Sequence, residues 1–130
     1  MIVSYDYILD SSAWIEYFGG TSKGEKIKNM IEGKKIATSV LAISEIVNKF
    51  DKENRPNFHF LEFINKNSAM LTLTFDIAVS SGLLKNILRK KSNKFSLIDA
   101  IHLATAREEN SILLTTDTDF LQAENVEIVL

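Results

Sequence analysis

The 130-residue chain is 45% hydrophobic and 25% charged, an ordinary balance for one globular domain, here taken across residues 1–130, that is large enough to bury a core. It has no cysteine, which excludes a disulfide scaffold and a thiolate metal site. A formal net charge of −2 excludes a general electrostatic grip on nucleic acid, so any such contact must come from a local basic patch. No apolar run approaches the length of a membrane span. Met1-Ile2-Val3-Ser4-Tyr5-Asp6 lacks the basic start and long apolar region of an export signal. Both features suit a cytoplasmic protein.

Tyr7-Ile8-Leu9 is a short apolar run ending at Asp10 and reads as a buried strand. Ser11 and Ser12 lead into a short helix, Ala13 to Phe18, stopped by Gly19-Gly20. Ser22 and Glu25 have the spacing of a capping box, followed by Ile27, Met30 and Ile31 at helical intervals and Gly33 at the end. A second strand spans Lys35 to Thr38. Ser39 then caps a helix with Val40, Ile43, Val47 and Phe50 on one face. The polar stretch Asp51 to Asn57, with the only proline, is a surface loop. Phe58 to Asn67 reads as a helix and Met70 to Thr74 as a strand. Asp76 caps a helix to about Lys91, with Gly82 as an unfavourable interior residue.

The next helix is the most informative. Ser96 and Asp99 form a capping box, and Ala100, Ile101, Leu103, Ala104 and Ala106 are too apolar all round for a surface helix. Ser111 to Thr115 is a strong strand, Thr116 to Leu121 a tight turn with a helical turn, and Val126 to Leu130 a terminal strand. This alternation predicts an α/β fold: a three-layer α/β/α sandwich on a short, mainly parallel sheet. Sites on such sheets form beyond the carboxyl ends of the strands.

Four acids fall at that edge. Asp10 ends the first strand, Glu45 lies in the second turn of the helix after the second strand, Asp99 opens the buried helix, and Asp117 follows the fourth strand. Clustered carboxylates repel and raise each other's pKa unless a cation relieves them. All-oxygen donors suit Mg²⁺ or Mn²⁺, and a divalent ion among acids supports phosphodiester cleavage. Ser11, Ser12, Thr115 and Thr116 flank the acids and can orient them. Asp6, Glu16 and Glu25 have ordinary surface or capping readings. His102 reads as a packed, hydrogen-bonded scaffold residue rather than a ligand.

Leu9-Asp10-Ser11-Ser12, Ser44-Glu45-Ile46, Leu97-Ile98-Asp99-Ala100-Ile101-His102-Leu103-Ala104-Thr105-Ala106 and Leu114-Thr115-Thr116-Asp117-Thr118-Asp119-Phe120 occur in this order. Together they resemble the PIN-domain ribonucleases, and in size the VapC-like toxins of type II toxin–antitoxin pairs. The resemblance implies a PIN-like fold and a Mg²⁺- or Mn²⁺-dependent endoribonuclease. It implies Asp10, Glu45, Asp99 and Asp117 as the acidic metal site, with Asp119 as a further ligand or positioning acid. It also implies an RNA substrate, a homodimer and a small inhibitory antitoxin. The basic run Lys85, Arg89, Lys90, Lys91 and Lys94 precedes Asp99. A charge run is usually a solvated face, but the position of Arg89, Lys90, Lys91 and Lys94 beside the acids suits an RNA backbone.

Trp14 and Phe18 lie four residues apart, and the helix from Phe58 carries two apolar stripes, Phe58 with Leu61 and Phe60 with Phe63 and Ile64. One short helix cannot bury both, so a partner groove lined by some of Trp14, Phe18, Phe58, Phe60 and Phe63 is expected. Three other functions compete: a housekeeping PIN nuclease in RNA maturation, a receiver-like signalling domain, and a catalytically silent binding module. A receiver needs an acceptor Asp after a middle strand and a Lys after a late one. Neither is present after Thr74 or Leu114. The full set of acids argues against a silent module.

Overall fold

Short apolar runs and helical periods alternate along the chain, and the computed structural model winds them into three layers. It describes residues 4–121 and 123–130; residues 1–3, part of the stretch read above as lacking an export signal, and residue 122 lie outside the described residues. In order the elements are β1 (Tyr7–Leu9), α1 (Ser11–Gly19), α2 (Ser22–Ile31), β2 (Ile36–Ser39), α3 (Val40–Lys52), α4 (Phe58–Asn67), β3 (Ala69–Leu71), α5 (Phe75–Arg89), α6 (Leu97–Glu108), β4 (Ile112–Thr115), a single 3₁₀ turn (Thr118–Phe120) and β5 (Val126–Ile128). The strands form one parallel sheet in the order β3-β2-β1-β4-β5. The chain winds outward from β1 to β3, then returns to place β4 on the other side of β1. The winding direction therefore reverses between β1 and β4, where an open α/β sheet leaves a crevice.

The strands are apolar in both directions because both faces are covered. Ile8 of β1 and Leu113 of β4 point into one core with α5 and α6. Their neighbours Leu9 and Leu114 point into the other, with Trp14 of α1, Ile27 of α2, Phe50 of α3 and Ile64 of α4. The two-residue strand period divides the layers. In α6 every residue from Ala100 to Ala106 is buried. The helix closes in a Schellman motif: Asn110 takes φ 53°, its N–H donates to the Arg107 carbonyl, and the Ser111 N–H donates to the Ala106 carbonyl. That tight return delivers β4 antiparallel to α6 and puts the start of α6 at the carboxyl edge of the sheet.

Several boundaries differ from the sequence reading. β3 is Ala69–Leu71 and Thr72 to Thr74 leave the sheet, because Leu71 pairs with Ser39, the last residue of β2 before α3 begins. Thr74, whose hydroxyl accepts from the Ile77 N–H, caps α5 in place of Asp76, which sits in the first turn; α5 ends at Arg89. Thr21 caps α2 through the Gly24 N–H, so Ser22 is its first residue, not its cap. Ser39 is at the N-cap of α3 but makes no side-chain cap hydrogen bond. Trp14, expected in a partner groove, is fully buried, and its indole N–H donates to Thr38 Oγ1 at 3.0 Å. Phe18 and Phe60 stack at 4.5 Å and are half-buried over it.

Two glycines give opposite expectations. A Cβ on Gly24 would lie 2.0 Å from the Glu16 carbonyl oxygen, so α2 approaches α1 as closely as it does only without a side chain there. Gly82, inside α5, has open space around its Cβ position. Gly24→Ala should cost about 1–3 kcal/mol through overpacking, whereas Gly82→Ala should gain about 0.5–1 kcal/mol. Thermal melts followed by circular dichroism should move in opposite directions; the reverse order would overturn the packing described.

Candidate active site

Asp10 leaves β1 and becomes the N-cap of α1, its Oδ1 accepting from the Ala13 N–H at 2.9 Å. The same oxygen accepts the Ser12 hydroxyl at 2.7 Å, and Oδ2 accepts the Thr115 hydroxyl. Ser12 Oγ and Thr115 Oγ1 lie 3.1 Å apart, but each hydroxyl has one proton and each gives it to Asp10. The hydroxyl oxygens in turn accept backbone protons from the next turn. The Thr116 N–H donates to Ser12 Oγ and the Asp117 N–H to Thr115 Oγ1, both at 3.0 Å. This network joins the ends of β1 and β4 at the switch point. Burial pushes the Asp10 carboxyl up, and the bonds from Thr115, Ala13 and Ser12 oppose that rise without cancelling it. Ser11 opens α1, half-buried.

Asp117 follows β4, and its Oδ1 accepts the Asp119 N–H at 2.8 Å. Burial lifts its carboxyl above the ordinary range. The Asp119 N–H pulls against this, and the charges of Asp119, Asp99 and Asp10 raise it further. These acids therefore act on one another across the crevice. Asp99 completes the capping box of α6, its Oδ2 accepting the Ser96 N–H at 3.0 Å while Ser96 Oγ accepts the Asp99 N–H. Glu45 reaches in from α3, and its Oε1 lies 2.7 Å from His102 Nε2 on α6. Asp119 Oδ1 is 3.4 Å from the Ser92 hydroxyl, which ties the 3₁₀ turn to the loop between α5 and α6. Arg89, Lys90, Lys91 and Lys94 are exposed at the end of α5 and along that loop.

The bonding leaves a pattern. Asp10 Oδ1 accepts two donors and Oδ2 one, so one lone pair of Oδ2 is left over. Asp99, Asp117 and Glu45 are each held by one carboxylate oxygen, and the other makes no hydrogen bond among the described residues. Three acids on three segments are thus oriented by one oxygen and open at the second, while Asp10 is held by both and keeps one free lone pair. No three histidine, aspartate or glutamate side chains among the described residues close into a ready-made metal cage. The donor chemistry nevertheless suits Mg²⁺ or Mn²⁺, because such ions keep several waters and need only one or two protein carboxylates.

The sequence reading placed all four acids at this edge but missed the Glu45–His102 pair. The available signal was spacing: Asp99 and His102 are three residues apart, so they share a helix face. The PIN-domain family model matches residues 7–126. The chain belongs to the PIN-domain family.

No curated protein matches this PIN domain in sequence. Solved structures do match in fold. VapC20 of Mycobacterium tuberculosis, described as a sarcin-ricin loop cleaving toxin, is 18% identical with a TM-score of 0.76 over 95% of this chain and 99% of its own. A toxin–antitoxin complex from Klebsiella pneumoniae gives 24% identity and a TM-score of 0.73 over 95% and 98%. DNA-bound VapBC from Salmonella typhimurium gives 17% and 0.74 over 98% and 97%. Among the described residues, no helix is long and apolar enough to cross a membrane.

Two substitutions separate the roles of the acids in this PIN domain. Asp10→Ala strips a helix cap and leaves two hydroxyls and one N–H without their acceptor. It should cost about 2 kcal/mol or more, a fall of roughly 8 °C in melting temperature. For Asp117 the sign is opposite. A carboxyl raised in the folded state binds more protons there than in the unfolded chain, so stability falls as pH rises from about 3.9 through the raised value. Asp117→Asn keeps the Oδ1 acceptor and removes the charge. In metal-free protein at neutral pH it should stabilise the fold slightly, by under about 1 kcal/mol given its exposure, and so raise the melting temperature. A clear fall would mark Asp117 as a structural turn residue instead.

Proposed function

We propose that residues 1–130 form one PIN-like domain acting as a Mg²⁺- or Mn²⁺-dependent endoribonuclease, the toxin of a toxin–antitoxin pair, working in the cytoplasm. The observation that carries this reading is the set Asp10, Glu45, Asp99 and Asp117 at the β1–β4 crevice, Asp10 anchored through both oxygens and the other three through one. When bound, the ion would lower the pKa of a water and neutralise charge on the phosphate. Asp10 and Asp117 would hold it from the strand ends and Asp99 and Glu45 from the helices, with Asp119 as a further acid. Ser12 and Thr115 fix Asp10, the Thr116 N–H in turn holds the Ser12 hydroxyl, and Ser11 opens α1 beside them. Arg89, Lys90, Lys91 and Lys94 offer the RNA backbone a positive border beside these acids. The toxin role draws support from the fold shared with the Klebsiella and Mycobacterium proteins.

Partner surfaces fit the same reading. The outer face of α5 exposes Phe75, Val79, Leu83 and Ile87 at four-residue steps, with Leu83 66% exposed. A groove beside it is lined by Leu83, Leu84, Ile87, Ala104 and Arg107. This stripe is the natural face for a second copy of the chain. Phe58, 72% exposed, borders a separate apolar groove with Val40, Ile43, Leu61 and Met70, suited to an antitoxin helix.

Purified protein should cleave RNA with added Mn²⁺ or Mg²⁺. Chelation should stop it, and Asp117→Asn should slow it at least ~100-fold, as loss of charge stabilisation at a reacting centre does. Cleavage that survives exhaustive chelation would overturn the metal reading. Leu83→Glu with Ile87→Glu should turn a dimer into a monomer by light scattering at micromolar concentration without lowering the melting temperature. An unchanged mass would remove α5 as the interface.

A further inference from the structure

His102 is fully enclosed in the middle of α6, between helix neighbours that are themselves buried. Its Nε2 meets Glu45 Oε1 at 2.7 Å. An ionised carboxylate can only accept, so the imidazole proton on that side belongs to Nε2. The other ring nitrogen, Nδ1, is buried with no hydrogen-bond partner among the described residues. A buried polar atom without a partner costs stability. An apolar side chain of similar size would avoid that cost, so packing alone does not account for a histidine here. The single bond that His102 makes goes to an acid on a different helix, one of the four that converge on the crevice.

Glu45 is otherwise poorly held. Its side chain is 32% exposed, and Oε2 makes no hydrogen bond among the described residues. A glutamate of this kind loses rotamer freedom when it is fixed. A rigid buried donor takes that loss during folding instead of at the moment a cation binds. We propose that His102 is a positioning residue for Glu45, holding Oε1 so that Oε2 is left for a divalent cation. This rests on Glu45 being a cation ligand, as in the function proposed above. Helix α6 then serves the site twice on one face, supplying Asp99 directly and orienting Glu45 through His102.

The test compares two amides. Glutamine carries an N–H at about the reach of Nε2, and asparagine stops short of it; both keep a polar group in the same buried place. Mn²⁺ affinity of metal-free protein is read by electron paramagnetic resonance of the free ion, without RNA, and folding by circular dichroism. His102→Asn should weaken Mn²⁺ binding about 10- to 100-fold, the range for loss of a partner that orients a ligand. His102→Gln should stay within about threefold of wild type. In a Glu45→Gln background, His102→Asn should have no further effect on Mn²⁺ affinity, since the group it positions is no longer a carboxylate. Equal affinity of wild type and folded His102→Asn overturns the inference and leaves the acidic site standing. A further loss in the Glu45→Gln background also overturns it, assigning His102 a general structural role. If wild type binds no Mn²⁺, the metal reading fails and the inference fails with it.

Discussion

The fold and the candidate site meet at one buried carboxylate. Asp10 accepts from Ser12, Ala13 and Thr115, bonds that favour its charged form, while burial opposes ionisation and on balance raises its carboxyl. Two hydroxyl protons and one N–H point at it, and the hydroxyl oxygens are themselves polarised by the N–H groups of Thr116 and Asp117. The network starts α1, joins the ends of β1 and β4, and sets the course of the chain that carries Asp117 away from the sheet. Folding therefore joins the two strand ends and fixes Asp10 in one operation.

Rigid elements carry the remaining acids. Asp99 stands at the mouth of α6, a helix whose next seven residues are all buried, so it cannot shift without moving the core. Glu45 stands on α3, whose inward face packs Ile46 and Phe50. Placing functional groups on packed helices limits their wandering. At Asp117 burial raises the carboxyl most, and the charges of Asp119, Asp99 and Asp10 add to it. A cation that relieves this repulsion would bind at the expense of instability already present in the folded chain.

The outer surfaces reflect what a small sheet can and cannot cover. Helices α4 and α5 each carry more apolar residues than one contact face can bury. In α4 the inward stripe ends at Ile64 while Phe58 remains exposed; in α5 Ile77, Leu84 and Leu88 are buried while Phe75, Val79, Leu83 and Ile87 face outward. The α5 row is a contiguous apolar stripe rather than a set of scattered single residues.

By itself, the sequence determined the alternation of strands and helices, the doubly covered sheet and the buried helix beginning at Asp99, and it singled out Asp10, Glu45, Asp99 and Asp117 as the candidate site. These follow from periodicity, capping and the rule that sites form beyond strand ends, all local or topological properties. Only the tertiary structure decided where pairing stopped and which side chains met. β3 ends at Leu71 because its neighbour β2 ends at Ser39, a fact held in another segment. Trp14 is a core residue because Thr38, on the next strand, receives its indole proton. Glu45 found His102 across 57 residues, and Ser12 and Asp10 found Thr115 across more than 100. Hydrogen bonds between distant segments leave no periodic trace in a sequence, since they depend on the angle at which two packed elements cross, and that angle is set by the whole core.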